Sequence, residues 1–222
     1  MVNTADLLST RIEEIELPPK YLELWNGINY PIQKRKASNF RLDENEKEII
    51  LNKLSKRAFF LTTIAEYFKA KNIVEVGTAE GWQFFSFAEY CKNVDGKVWS
   101  CDIDDRRSQK YTKEYKDTAT FVLGDSKKLA EEIIQNGTKI DLFYIDGSHD
   151  RNAVLRDVSN LKSIQNPDST PVWIFDDYDE RFGCYHDISL ILKSAPSYFV
   201  YSPGKTASGN PTHQAIMRGF FR

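Results

Sequence analysis

From Lys71 onward the chain alternates short apolar runs with stretches of helical spacing, and each apolar run closes on or just before an acid. The runs are 73–77, 97–102 (KVWSCD), 119–123 (ATFVL), 140–146 (IDLFYID) and 171–176 (PVWIFD). Their length and their content of Val, Ile, Phe and Trp mark buried strands. The gaps at 81–92, 105–116, 126–136, 150–164 and 184–194 read as helices; 150–164, for example, sets Val154, Val158 and Leu161 on one face. Strands separated by helices pair in parallel, with helices covering both faces of the sheet. After residue 196 the pattern changes to SYFVYSP, a turn-rich GKTASGNPT and HQAIMRGFF, with no helix between. Two such strands form an antiparallel hairpin. The expected fold is therefore α/β: a doubly wound, mostly parallel seven-stranded sheet with a C-terminal antiparallel β-hairpin and helices on both faces.

The 222 residues suit one such domain, over 43–222, preceded by a cap or lid at 1–42. That first segment has no regular period; it carries Pro18-Pro19, the aromatics Trp25 and Tyr30, and a basic stretch Lys34-Arg35-Lys36. From Asp43 to Phe68 the spacing is helical, with Ile50, Leu54, Ala58, Leu61, Ala65 and Phe68 recurring every three or four residues. A net charge of -2, from 30 basic and 32 acidic residues, gives no field that would draw nucleic acid. No apolar run approaches the ~20 residues of a membrane helix, and the N-terminus lacks the apolar core of a signal peptide. The expectation is a cytoplasmic protein with neither membrane nor nucleic-acid partners. Cys91, Cys101 and Cys184 are odd in number with no C-x-x-C, and so are expected to be reduced, partly buried thiols.

The first strand runs into Glu75-Val76-Gly77-Thr78-Ala79-Glu80-Gly81, an acid followed by small residues at every second position. Small residues let backbone N–H groups and a helix N-terminus come close to a ligand. A dinucleotide fingerprint would need its last small residue at position 82, which is Trp82. The pattern E-x-G-x-A-x-G instead resembles motif I of the class I, S-adenosylmethionine-dependent methyltransferases. The resemblance implies that Glu75, Gly77, Thr78, Ala79 and Gly81 line the cofactor. Asp102 lies 27 residues after Glu75, at the end of the second strand, where the family's acid holds the ribose hydroxyls, with Ile103 beside it. Asp125 and the backbone at Ser126 fall where the family recognises the adenine amine, although either side chain also suits a helix N-cap. Asp146 completes the set expected at the cofactor.

Two further strand ends narrow the resemblance. Ile145-Asp146-Gly147-Ser148-His149 closes the fourth strand and Phe175-Asp176-Asp177-Tyr178 the fifth, with 30 residues between Asp146 and Asp176. Adjacent strands are about 4.8 Å apart, and three carboxylates that close repel one another unless protonated or bound to a cation. Asp146, Asp176 and Asp177 therefore read as ligands for Mg²⁺ or a similar ion. This resembles the metal-dependent O-methyltransferases that act on catechols and macrolide sugars. The catechol enzymes have Asn where this chain has Asp177, and a catalytic Lys where it has His149. The sugar-modifying enzymes use such a His as base. The resemblance thus implies His149 as catalytic base, and a sugar-like or aliphatic hydroxyl on a small molecule as methyl acceptor.

Three other readings compete: a metal-independent methyltransferase acting on another nucleophile, a nicotinamide-dependent oxidoreductase, and a binding module that keeps the fold without the chemistry. Lys205 and His213 are alternative bases from the C-terminal loop, and a homodimer is one option for assembly.

Overall fold

A computed structural model describes residues 61–221, apart from 63, 108, 196–197 and 206–210. The cap expected at 1–42, with Trp25 and Tyr30, and most of the helical pattern from Asp43 lie outside the described residues. Five strands alternate with helices: β1 (Asn72–Val76), α1 (Trp82–Asn93), β2 (Lys97–Asp102), α2 (Gln109–Glu114), β3 (Ala119–Leu123), α3 (Ser126–Gln135), β4 (Leu142–Ile145), α4 (Ala153–Leu161), β5 (Val172–Phe175) and α5 (Cys184–Ser194). The chain closes with β6 (Tyr198–Lys205) and β7 (Pro211–Arg218). One seven-stranded sheet results, in the order β3-β2-β1-β4-β5-β7-β6. β1 to β5 pair in parallel, and β7 runs antiparallel to both β5 and β6. The order reverses between β1 and β4, where a doubly wound sheet opens its ligand crevice.

Alternation along each strand splits the core into two layers. Ile73, Tyr144, Ile174 and Ile216 face one side, against Phe84, Phe87 and Cys91 of α1 and the helical residues Leu61 and Ile64. Val74, Phe143, Trp173 and Phe175 face the other, against α3, α4 and α5. There the rings of Phe143 and Trp173 stack at 3.8 Å on neighbouring strands. Burying a large apolar side chain stabilises the fold by about 1.5–3 kcal/mol, so the paired layers fix the register. All three cysteines are free and buried.

The helix expected over 105–116 is shorter, at Gln109–Glu114. Asp105 accepts the Arg107 backbone N–H at 3.2 Å and both guanidinium arms at 2.8 Å. That local turn competes with helix formation at its N-terminal end.

Candidate functional site

The carboxyl ends of β1, β2, β4 and β5 bring the expected residues to one edge of the sheet. Gly77 leaves β1 at φ +91, and a Cβ there would lie 1.9 Å from the Asp146 carbonyl oxygen. Only glycine allows the β1 turn to press against the end of β4 in this way. Gly81, at φ +83, caps α1, and a Cβ on it would meet the Phe85 ring at 2.7 Å. Ala79, between them, also has positive φ, +46. β2 holds the turn: Gly77 N and Thr78 N donate to the Cys101 carbonyl at 2.9 and 3.3 Å, and Ala79 N to Asp102 Oδ2 at 2.8 Å.

Glu75 is 1% exposed and accepts from the Ser100 hydroxyl at 2.6 Å, so its carboxylate lies beneath the turn. Asp102 stands half-buried beside the turn, followed by Ile103, which is 86% exposed. Such exposure of an isoleucine at a strand's carboxyl end suits a flat apolar ligand surface. Asp125 is the N-cap of α3, accepting Lys128 N at 3.0 Å. The Ser126 side chain is engaged by α4. Its hydroxyl donates to Asp157 at 2.6 Å and accepts from Asn160 at 2.9 Å. Burial raises the Asp157 carboxyl above its usual range.

Asp146, His149 and Asp177 each offer one ligand atom, and the three atoms lie within 4.8 Å of one another. His149 Nε2 is 2.7 Å from Asp177 Oδ2. Asp177 reaches this position because its φ is +51, unusual for a residue with a side chain. The His149 ring packs on Phe182 at 4.6 Å, and its carbonyl accepts Cys184 N at 2.9 Å. The structure sets Asp176 apart from this group, at 5% exposure. Its Oδ2 accepts from the Tyr144 hydroxyl at 2.9 Å and its Oδ1 from Gln214 at 3.3 Å. The same Tyr144 hydroxyl lies 3.0 Å from Asp146 Oδ2. Having one hydrogen, it serves either carboxylate but not both at once. His213 Nδ1 is 3.7 Å from Asp179, whose carboxyl Arg181 lowers to about 2 by a two-pronged hydrogen bond. The Lys205 side chain lies outside the described residues. Burial pushes the Cys184 thiol up to about 11, leaving it a poor nucleophile.

Ser100, Tyr144 and Gln214 were not legible as site residues. Each is a polar residue inside an apolar strand, and each finds its partner 25 to 38 residues away in sequence. The signal available was alternation, which puts Ser100 on the same strand face as Asp102.

Residues 74–178 match a family model described as a methyltransferase domain. No curated protein matches the sequence. Among solved structures, an O-methyltransferase from Bacillus cereus in complex with SAH is 15% identical, with a TM-score of 0.57 over 98% of this chain and 100% of its own. TomG of Streptomyces achromogenes, an O-methyltransferase of tomaymycin synthesis in complex with SAM, is 12% identical, with a TM-score of 0.57 over 85% and 96%. An rRNA methylase of Streptococcus thermophilus is 11% identical, with a TM-score of 0.51 over 68% and 87%. At these identities the likeness is one of fold.

Proposed function

We propose that residues 74–178, which match the methyltransferase-domain model, are the core of a class I, S-adenosylmethionine-dependent methyltransferase, and that the chain methylates a small-molecule hydroxyl, sugar-like or aliphatic. One observation carries the reading. Gly77, in the cofactor turn, packs directly against Asp146, which belongs to the group with His149 and Asp177. A methyl donor on the turn and a hydroxyl beside that group would therefore be neighbours. Alignment within about 3–3.5 Å removes much of the entropic barrier to transfer.

His149 is the proposed base. Giving Nε2–H to Asp177 leaves Nδ1 to take a proton, and Asp177 stabilises the imidazolium that forms. Bound on the turn, S-adenosylmethionine would supply the activated methyl group, its carbon–sulfur electron pair returning to sulfur as the hydroxyl oxygen takes the methyl carbon. Asp102 and Ile103 would hold the ribose and adenine side of the cofactor, with Asp125 and the Ser126 backbone beyond them.

A divalent cation such as Mg²⁺ fits the donor chemistry here, since Asp146 and Asp177 offer hard oxygens at the end of the pair of adjacent strands. Bound there, it would lower the pKa of the acceptor hydroxyl. Asp176, engaged by Tyr144 and Gln214, backs these two carboxylates. The short His149–Asp177 contact favours a second reading in which the pair acts without a cation. Incubation with methyl-labelled S-adenosylmethionine and sugar, aliphatic or catechol hydroxyl probes, with and without chelator, tests both. Label in a sugar or aliphatic O-methyl ether supports the proposal, chelator sensitivity separates the two readings, and label only on the catechol, or on none of the hydroxyl probes, refutes it.

A further inference from the structure

Resting on the reading of 77–81 as the S-adenosylmethionine turn, which binding by the wild type tests first, we propose that Ser100 is a positioning residue for the cofactor, acting through the Thr78 hydroxyl to hold that turn in its ligand-binding form. Ser100 lies directly opposite Glu75 in the β1–β2 ladder, so the two side chains share a face of the sheet. Its hydroxyl is 2.6 Å from Glu75 Oε2 and 2.6 Å from Thr78 Oγ1. All three residues are buried, at 1% for Glu75, 0% for Ser100 and 3% for Thr78.

Hydrogen counting gives this chain one polarity. With Glu75 ionised, its carboxylate only accepts, and the single hydrogen of Ser100 goes to it. Thr78 must then donate to Ser100, which leaves the Thr78 oxygen with lone pairs alone. A hydroxyl bond to a carboxylate is also the stronger kind, which makes Ser100 the firm link between strand and turn.

The turn needs such a link. Three consecutive β2 residues grip it: Ser100 through the Thr78 hydroxyl, Cys101 through the backbone of Gly77 and Thr78, and Asp102 through Ala79 N. Ala79 sits at φ +46, a region that alanine leaves unless its surroundings hold it. Removing the Ser100 hydroxyl frees Thr78 to rotate and loosens the residue before Ala79. The amide that faces Asp102 then loses its fixed place.

The test is a double-mutant cycle on S-adenosylmethionine affinity, read by calorimetry on the full chain. Ser100→Ala should weaken binding about tenfold. In the Thr78→Val background the same substitution should change affinity less than twofold, because its route of action is already gone. Amide exchange at 77–81 should accelerate in Ser100→Ala while β3 and β5 stay protected. Should Ser100→Ala not fold, Thr78→Val alone must still weaken binding and speed exchange at 79–81. Full affinity in either single variant overturns the proposal, as does a double variant whose loss is the product of the two single losses.

Discussion

His149 Nε2 lies 2.7 Å from Asp177 Oδ2, so a histidine from the loop after β4 is held by an acid from the loop after β5. Neither partner is on a regular element, and the contact depends on Asp177 adopting φ +51. The Phe182 ring limits how the imidazole can turn. Held on both sides in this way, the imidazole would already be oriented to serve as the proposed base. Replacing His149 with Ala should lower turnover by about 10²–10⁴-fold. Affinity for S-adenosylmethionine, measured on the same preparation, should stay within a few-fold. A variant that melts earlier yet turns over normally would show that His149 is structural.

Asp102 combines two tasks, holding Ala79 N and facing the crevice. Asp102→Ala should weaken S-adenosylmethionine binding by more than tenfold, since each charge-assisted hydrogen bond is worth about 1.5–3 kcal/mol. Calorimetry on the folded variant reads this directly. Unchanged affinity would move the ribose contact elsewhere, with Asp104 the next acid along the chain.

Much of this arrangement was open to reading in the sequence. Four of the five parallel strands, β1, β2, β4 and β5, declared themselves as apolar runs because both of their faces are covered. The edge strand β3, with Thr120 and Leu123 exposed, still kept enough apolar residues to be read. The acids closing them marked the edge where polar groups are needed. What stayed hidden depends on chain reversal. That Asp177 turns toward His149 while Asp176 turns back toward Tyr144 follows from one backbone angle, not from residue type. Ser100 and Gln214 look like stray polar residues until β1 and β5 are laid beside them. The late start of α2 hung on Asp105 finding Arg107, a contact between two residues that also suit a helix surface.

Gly77→Ala should be among the most damaging single substitutions, because a Cβ would lie 1.9 Å from the Asp146 carbonyl oxygen at φ +91. Strain and overpacking together put the cost at about 2–5 kcal/mol. Gly137 provides the control: its φ is +66, but a Cβ there meets nothing within 4 Å. Gly137→Ala should cost only about 1 kcal/mol, from backbone strain alone. Urea unfolding of both variants checks the difference.

Asp157 gives a pH-dependent prediction. Burial raises its carboxyl in the folded state, so the folded protein holds that proton more tightly than the unfolded chain does. The resulting stability is fully present below the unfolded pKa of about 3.9 and is lost as pH rises through the folded value. Asparagine can still accept from Ser126 and never ionises. The melting temperature of Asp157→Asn relative to wild type should therefore climb between pH 4 and pH 7. A difference that stays flat across that window would mean that Asp157 carries no buried charge.

The most direct measurement is methyl transfer itself: mass spectrometry of sugar, aliphatic and catechol hydroxyl probes incubated with methyl-labelled S-adenosylmethionine, comparing wild type with His149→Ala. An O-methyl ether formed by the wild type, and reduced at least about a hundredfold in the variant at equal cofactor affinity, is the result expected from a cofactor turn set against the Asp146–His149–Asp177 group. Equal O-methylation by both proteins, or methylation of the catechol probe alone, would contradict it.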